Sequence, residues 1–313
     1  SVTDMGGMFQ ACSSLTSLDL TSFNTSKVTN MNIMFAACTN LETIYVSELW
    51  NTSSVTNSTN MFDGCTKIVG GSNTTYDSTH TDKEYARIDG GTSSPGYFSA
   101  PPNPLEAVTS SATATTSNFL STTIKRNQIK NISFVTSLEG HTVVNTICWD
   151  VGTTKDGTVL AWITGPDGTG LYDITIGSLG KVVANSDSSN LFANIVNTTT
   201  INGTDNINTS NVTNMLGMFR NANNLTTLDV SKWNISNVTN MVLMFHNATS
   251  LTTLNVSNWN TSNVKDMDSM FNAAYNLTTL NVSNWDTSKV TDMAYMFDNA
   301  NNLTTLDVSK WNI

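Results

Sequence analysis

Three histidines, four cysteines and thirteen methionines are the side chains of this 313-residue sequence best suited to metal or nucleophilic chemistry. His80, His141 and His246 are scattered, with no H-E-x-x-H, G-x-S-x-G or phosphate-loop pattern around them. Cys12, Cys38 and Cys65 follow at gaps of 26 and 27 residues, and Cys148 stands apart. Zinc sites draw on paired Cys-x-x-Cys ligands, and these thiols form no such pair, so free core cysteines are expected rather than a metal site or a disulfide framework. A methionine stripe would suit soft metals or redox work. All thirteen, however, sit in one recurring motif at helical spacing, which predicts core packing. Asp156-Gly157 and Asp167-Gly168 lack the further acidic ligands of an EF-hand and read as hairpin turns. The expectation is a protein without catalytic residues, metal or cofactor, and so not an enzyme.

The positioning elements are written in a repeat. Trp233, Trp259, Trp285 and Trp311 are 26 residues apart, and Met5, Met8 and Phe9 return as Met31, Met34 and Phe35 at the same interval. A degraded copy carries Met61 and Phe62. In each copy, Val212, Met215, Phe219 and Ala222 or their equivalents fall at i, i+3, i+4 spacing, which predicts a short amphipathic helical turn. Leu225, Leu228, Val230 and Trp233 then predict a short strand with alternate faces. One copy cannot bury its own apolar face, but stacked copies can. The expected fold is therefore an α/β solenoid, a leucine-rich-repeat-like stack of parallel short strands and short helical turns. A β-rich cap module interrupts it.

The motif V-T-N-M-x-x-M-F-x-x-A-x-x-L-T-T-L-x-V-S-x-W-N-T-S over residues 1–66 and 201–313 resembles the BspA-type leucine-rich-repeat surface proteins. The segment from Ile68-Val-Gly-Gly to Pro95-Gly-Tyr-Phe98 is similar to the closing segment of such an array, and Ala161-Trp162 with Ser189-Asn-Leu-Phe192 to the module that precedes one. The resemblance implies a secreted or cell-surface protein linked to adhesion. It names no single ligand.

Along the chain, residues 1–66 read as the C-terminal part of one array and 67–100 as its cap. Residues 101–110, opening on Pro101-Pro102-Asn103-Pro104, read as a linker. Residues 111–200 read as a β-rich N-terminal cap module, with Val159–Thr164 and Leu171–Ile176 joined across Gly165–Gly170. Residues 201–313 read as the second array. The sequence begins at Ser1 without initiator methionine, signal peptide or anchor, and is expected to be a fragment or a processed product.

Charged residues make up only 12% against roughly 25% in ordinary soluble domains, and the net charge is −10. Nucleic acid and anionic membranes need clustered Lys and Arg, so neither is an expected partner. No apolar run approaches the roughly 18 residues of a membrane span.

What remains for function is the outward strand face. Stacking aligns Thr227, Thr253, Thr279 and Thr305 in one row, Asp229, Asn255, Asn281 and Asp307 in a second, and Ser231, Ser257, Ser283 and Ser309 in a third. Such rows suit an extended protein or glycan ligand; they also simply keep a sheet soluble. About 18 N-x-[ST] sequons occur, with Asn24, Asn51, Asn73, Asn224, Asn234, Asn255, Asn260 and Asn302 as candidate glycosylation sites. Two functions stay open: adhesion through the solenoid face, or a structural subunit of an extracellular fibre built by head-to-tail self-association of open repeat ends. Both place the protein outside the cell or on its surface.

Overall fold

A computed structural model describes residues 2–47, 49–100, 103–108, 114–138, 140–144, 146–178 and 180–312. Pro101-Pro102 and residues 109–113, which carry both ends of the expected linker and the start of the expected cap module, lie outside the described residues. The chain divides into two compact units, Ser1–Pro102 and Asn103–Ile313.

The first unit holds β1 (Ser17–Asp19), β2 (Thr43–Tyr45) and β3 (Phe98–Ser99), paired in parallel in that order. The second holds β4 (Ile129–Val135), β5 (Cys148–Asp150), β6 (Val159–Thr164), β7 (Tyr172–Ser178), β8 (Val182–Val183), β9 (Thr200–Asn202), β10 (Ile207–Asn208), β11 (Thr227–Asp229) and β12 (Thr253–Asn255). Five of these form a mixed sheet in the order β5-β6-β7-β4-β9. β8 pairs with β10 and β11 with β12, both in parallel. Pro104 and Leu105, read from the sequence as linker, are built into this second unit, where the Leu105 amide donates to Val183 O at 2.8 Å.

This architecture overturns the expected α/β solenoid. Among the described residues no α-helix forms, and the strands lie in four separate small sheets, parallel and mixed. The physical reason is in the backbone of the predicted helical turns. Each contains two residues in the left-handed region four apart: Gly217 and Asn221, Leu243 and Asn247, Ser269 and Ala273, Tyr295 and Asn299. A right-handed helix cannot pass through them. Their amides alternate instead. Met215, Gly217, Phe219 and Asn221 donate to Asn240, Val242, Met244 and His246 O at 2.8–2.9 Å, in the next copy. Met218, Arg220 and Ala222 donate three residues back, to Met215, Gly217 and Phe219 O. The i, i+3, i+4 apolar spacing is thus a succession of tight turns. Leu243 accepts a left-handed backbone, a cost of order 1 kcal/mol, because its amide donates across to Asp268 O at 2.9 Å, and Tyr295 repeats that conformation.

The apolar positions are buried as the repeat requires. Phe219, Phe245, Phe271 and Phe297 stack at centroid distances of 5.4, 5.5 and 5.6 Å with nearly parallel rings. Trp233, Trp259, Trp285 and Trp311 each donate from Nε1 to a backbone carbonyl 29 residues earlier, at 2.9–3.2 Å. Packing and amide donation thus fix one copy on the next.

Candidate functional site

Because β11 pairs with β12 as Thr227↔Thr253, Leu228↔Leu254 and Asp229↔Asn255, alternate side chains point the same way. Parallel bridges extend the row through Thr253↔Thr279 and Thr279↔Thr305. Leu228, Leu254 and Leu280 point inward and keep only 4–6% of their surface. The threonines and Asx residues beside them are exposed.

They form the wall of a groove of about 890 Å³, to which β9 and the turn after it add Thr200, Asn202, Gly203, Thr204 and Asp205. Seven of the twelve expected face residues line it: Thr227, Asp229, Thr253, Asn255, Thr279, Asn281 and Thr305. Ser231, Ser257, Ser283, Ser309 and Asp307 do not. The serine row closes turns instead. The amides of Ser231, Ser257, Ser283 and Ser309 donate to the side chains of Asp229, Asn255, Asn281 and Asp307 at 3.0–3.3 Å. The Ser257 and Ser283 hydroxyls add bonds of 2.9 and 2.8 Å to Asn255 and Asn281 Oδ1. Bonds from Ser231 hold the Asp229 carboxyl below the usual carboxylate range, and bonds from Ser309 do the same at Asp307.

The groove keeps a free polar set. The hydroxyls of Thr227, Thr253, Thr279 and Thr305 and the Nδ2 groups of Asn255 and Asn281 have no hydrogen-bond partner among the described residues. Lys232 and Asp205 stand at the β9 end, and no histidine, cysteine or aromatic side chain lines the groove among those residues.

Sequence reasoning missed Thr200, Asn202 and Thr204. They line the groove beside β11, although β9 pairs with β4, and the signal was present: Thr199-Thr-Ile-Asn202 stands 27 residues before Thr226-Thr-Leu-Asp229. Drawing the boundary between residues 200 and 201 split this segment between the expected cap module and the second array.

The candidate glycosylation residues Asn24, Asn51, Asn73, Asn224, Asn234, Asn255, Asn260 and Asn302 are all exposed. At Asn24, Asn51, Asn234 and Asn260 the Oδ1 atom accepts the amide two residues on, at 2.7–3.2 Å, so each also shapes a corner. Asn302 donates through Nδ2 to Asn276 Oδ1 at 3.1 Å.

Cys38, Cys65 and most of the methionines are buried. Cys38 and Cys65 donate from Sγ to Phe9 and Phe35 O, both at 3.0 Å. Burial raises both thiols, Cys65 to about 12. Eleven of the methionines are buried, while Met8 is exposed and Met293 packs at the core's margin. Among the described residues no group of three or more His, Cys, Asp or Glu could hold a metal ion. No described helix is long and apolar enough to cross a membrane.

The fold and groove define a repeat-built protein with a polar concave face. The family described as Mycoplasma protein of unknown function, DUF285, matches residues 1–88 and 186–311. The chain belongs to that family. No curated protein and no solved structure matches it.

Proposed function

We propose that this chain is a BspA-type surface protein that works outside the cell as a binding module, and that the groove on β11 and β12 is its adhesive contact. One observation carries the reading. Rows aligned by backbone pairing build a polar groove of about 890 Å³ whose threonine hydroxyls are unspent. Threonines that only solubilised a sheet would need no such concavity. Its threonines have no histidine or cysteine beside them, so the groove is suited to holding a protein or glycan partner rather than to catalysis. A glycan on Asn255 or Asn281 would fill the groove, so the adhesive reading takes both as unmodified.

The double substitution Thr253→Lys with Thr279→Lys places two bulky cations in the groove while leaving the buried leucines intact. Adhesion of the purified chain to matrix-coated plates and epithelial cells is expected to fall at least tenfold, with the circular dichroism spectrum unchanged. Unchanged adhesion refutes the assignment.

A further inference from the structure

We propose that the groove takes an extended, uncharged oligosaccharide lying along the stacking direction, with one sugar facing each copy. This rests on the groove being the binding face, and three observations select the ligand.

The first is spacing. Thr227, Thr253, Thr279 and Thr305 are bridged in that order, and paired strands repeat at about 4.8 Å, so these four rows span about 14 Å, with Thr200 lining the groove beside them. An extended polypeptide advances about 3.3 Å per residue and a polyproline helix about 3.1 Å. Either meets the rows in step only at every third residue and every second row, so it leaves alternate rows unmatched. A 1,4-linked pyranose chain advances by about one row per sugar, so successive sugars meet equivalent side chains.

The second is the backbone. The groove lies over the face of paired strands, from Thr227↔Thr253 through Thr279↔Thr305. The bridges join each copy to the next, so along the face between Thr227 and Thr305 a peptide meets no unpaired edge. Recognition must come from side chains.

The third is their chemistry. Asn255 and Asn281 turn Oδ1 toward Ser257 and Ser283, which leaves Nδ2 for a ligand. Each central copy therefore presents one amide NH2 group, with two N–H donors, and one hydroxyl. That set matches ring, hydroxyl and acetamido oxygens. The central rows carry no charge, and Lys232 with Asp205 and Asp229 lies toward one end, so a polyanion finds no cationic track. Without an aromatic platform among the described lining residues, affinity grows by the number of sugars hydrogen-bonded, not by one dominant stack.

The test is titration calorimetry of the intact chain with cello- and chito-oligosaccharides of two to six sugars, against oligogalacturonate and an extended polar peptide. Affinity for a neutral series is expected to rise at least tenfold from disaccharide to pentasaccharide and then to level off. Thr253→Val with Thr279→Val removes only hydroxyls, and should weaken pentasaccharide binding at least tenfold with the melting temperature unchanged. The proposal is overturned if neither neutral series binds at millimolar concentration, if affinity is independent of length, or if the valine variant binds as well as the parent. If T253K/T279K abolishes adhesion while neutral sugars neither bind nor compete, the groove stands as the contact and the oligosaccharide falls. If neither adhesion nor sugar binding responds to these substitutions, both readings fall.

Discussion

The copy ending near Cys65 and the copy beginning near Asp187 meet opposite problems, and the molecule solves them with opposite chemistries. In the tight-turn segment the hydrogen bonds have a polarity: amides such as Met215 and Phe219 N–H donate to the copy after, whereas outside it Thr239 and Thr252 N–H donate to the copy before. At residues 58–66 the amides need acceptors. Phe62 N–H donates to Thr81 O at 2.9 Å and Gly64 N–H to the Tyr76 hydroxyl at 3.3 Å. These replace the Met61 and Asp63 carbonyls that serve Phe35 and Ala37 one copy earlier. At residues 186–198 the carbonyls need donors. The fully buried Arg126 supplies them, reaching Leu191 O at 3.1 Å and Ala193 O at 2.8 Å from Nη1. These are the positions where, one copy later, Met218 and Arg220 O accept from Phe192 and Asn194. Phe119 lies 5.6 Å from the guanidinium. Burial lowers Arg126 to about 10, so it stays charged at neutral pH. What closes the tight-turn segment must therefore supply acceptors at the one end and donors at the other.

The faces differ in the same instructive way. β1 and β2 pair in the register of β11 and β12, yet Tyr45 stands where the groove has Asn255, and β3 from the closing segment takes the next place. Shared backbone pairing aligns rows in both units. Only the residues in the rows decide whether a free polar groove results.

The largest expected effect breaks the donor side of this comparison. Arg126→Leu leaves the Leu191 and Ala193 carbonyls without their guanidinium donor. Two unmet carbonyls cost several kcal/mol, and removing the buried charge offsets part, so a net loss of about 2–3 kcal/mol is expected in the second unit. Differential scanning calorimetry checks it: the transition of the second unit moves down and that of the first stays. A loss under about 0.5 kcal/mol would mean that water supplies donors equally well.

The acceptor side is expected to respond more weakly. Tyr76→Phe removes one half-buried acceptor from Gly64 N–H and should cost the first unit about 1 kcal/mol. Urea denaturation with unit-specific fluorescence measures this. A loss equal to that of Arg126→Leu would erase the proposed asymmetry between a bridging cation and a single hydroxyl.

How much of this was legible can be argued from particular residues. Val212, Met215, Phe219 and Leu228 are read correctly as core, because period and burial go together whatever the backbone does. The helix is misread because a turn recurring every four residues imitates a 3.6-residue period. Gly217 and Asn221 favour the left-handed region and hint at the truth, but Leu243 and Tyr295 occupy the same position and hide it. The face rows follow from the repeat alone. Their concavity does not, because the wall at Asn202 and Asp205 comes from residues whose kinship to the repeat is faint. Arg126 is a single arginine in a non-repetitive stretch, and only the stack it closes reveals its task.

The smallest effect at neutral pH concerns one position within the repeated segments. Arg220, His246 and Asn272 occupy the same place in successive copies. Burial lowers the His246 imidazole below its ordinary 6.5, the Arg220 charge in the preceding copy lowers it further, and Asp268 in the following copy raises it in part. Nδ1 is buried and has no partner among the described residues. A base with a lowered pKa binds fewer protons folded than unfolded between its two pKa values. Its contribution is therefore fully present above pH 6.5 and is lost as pH falls through the folded value. Asp229 and Asp307, held below 3.8, act only in a more acidic range. Between pH 7 and pH 5 the decline should thus trace to His246. His246→Asn, the residue used one copy later, should match the parent at pH 7 and flatten the decline toward pH 5. Denaturation midpoints at the two pH values check it: an equal decline in both proteins would place the titrating group elsewhere.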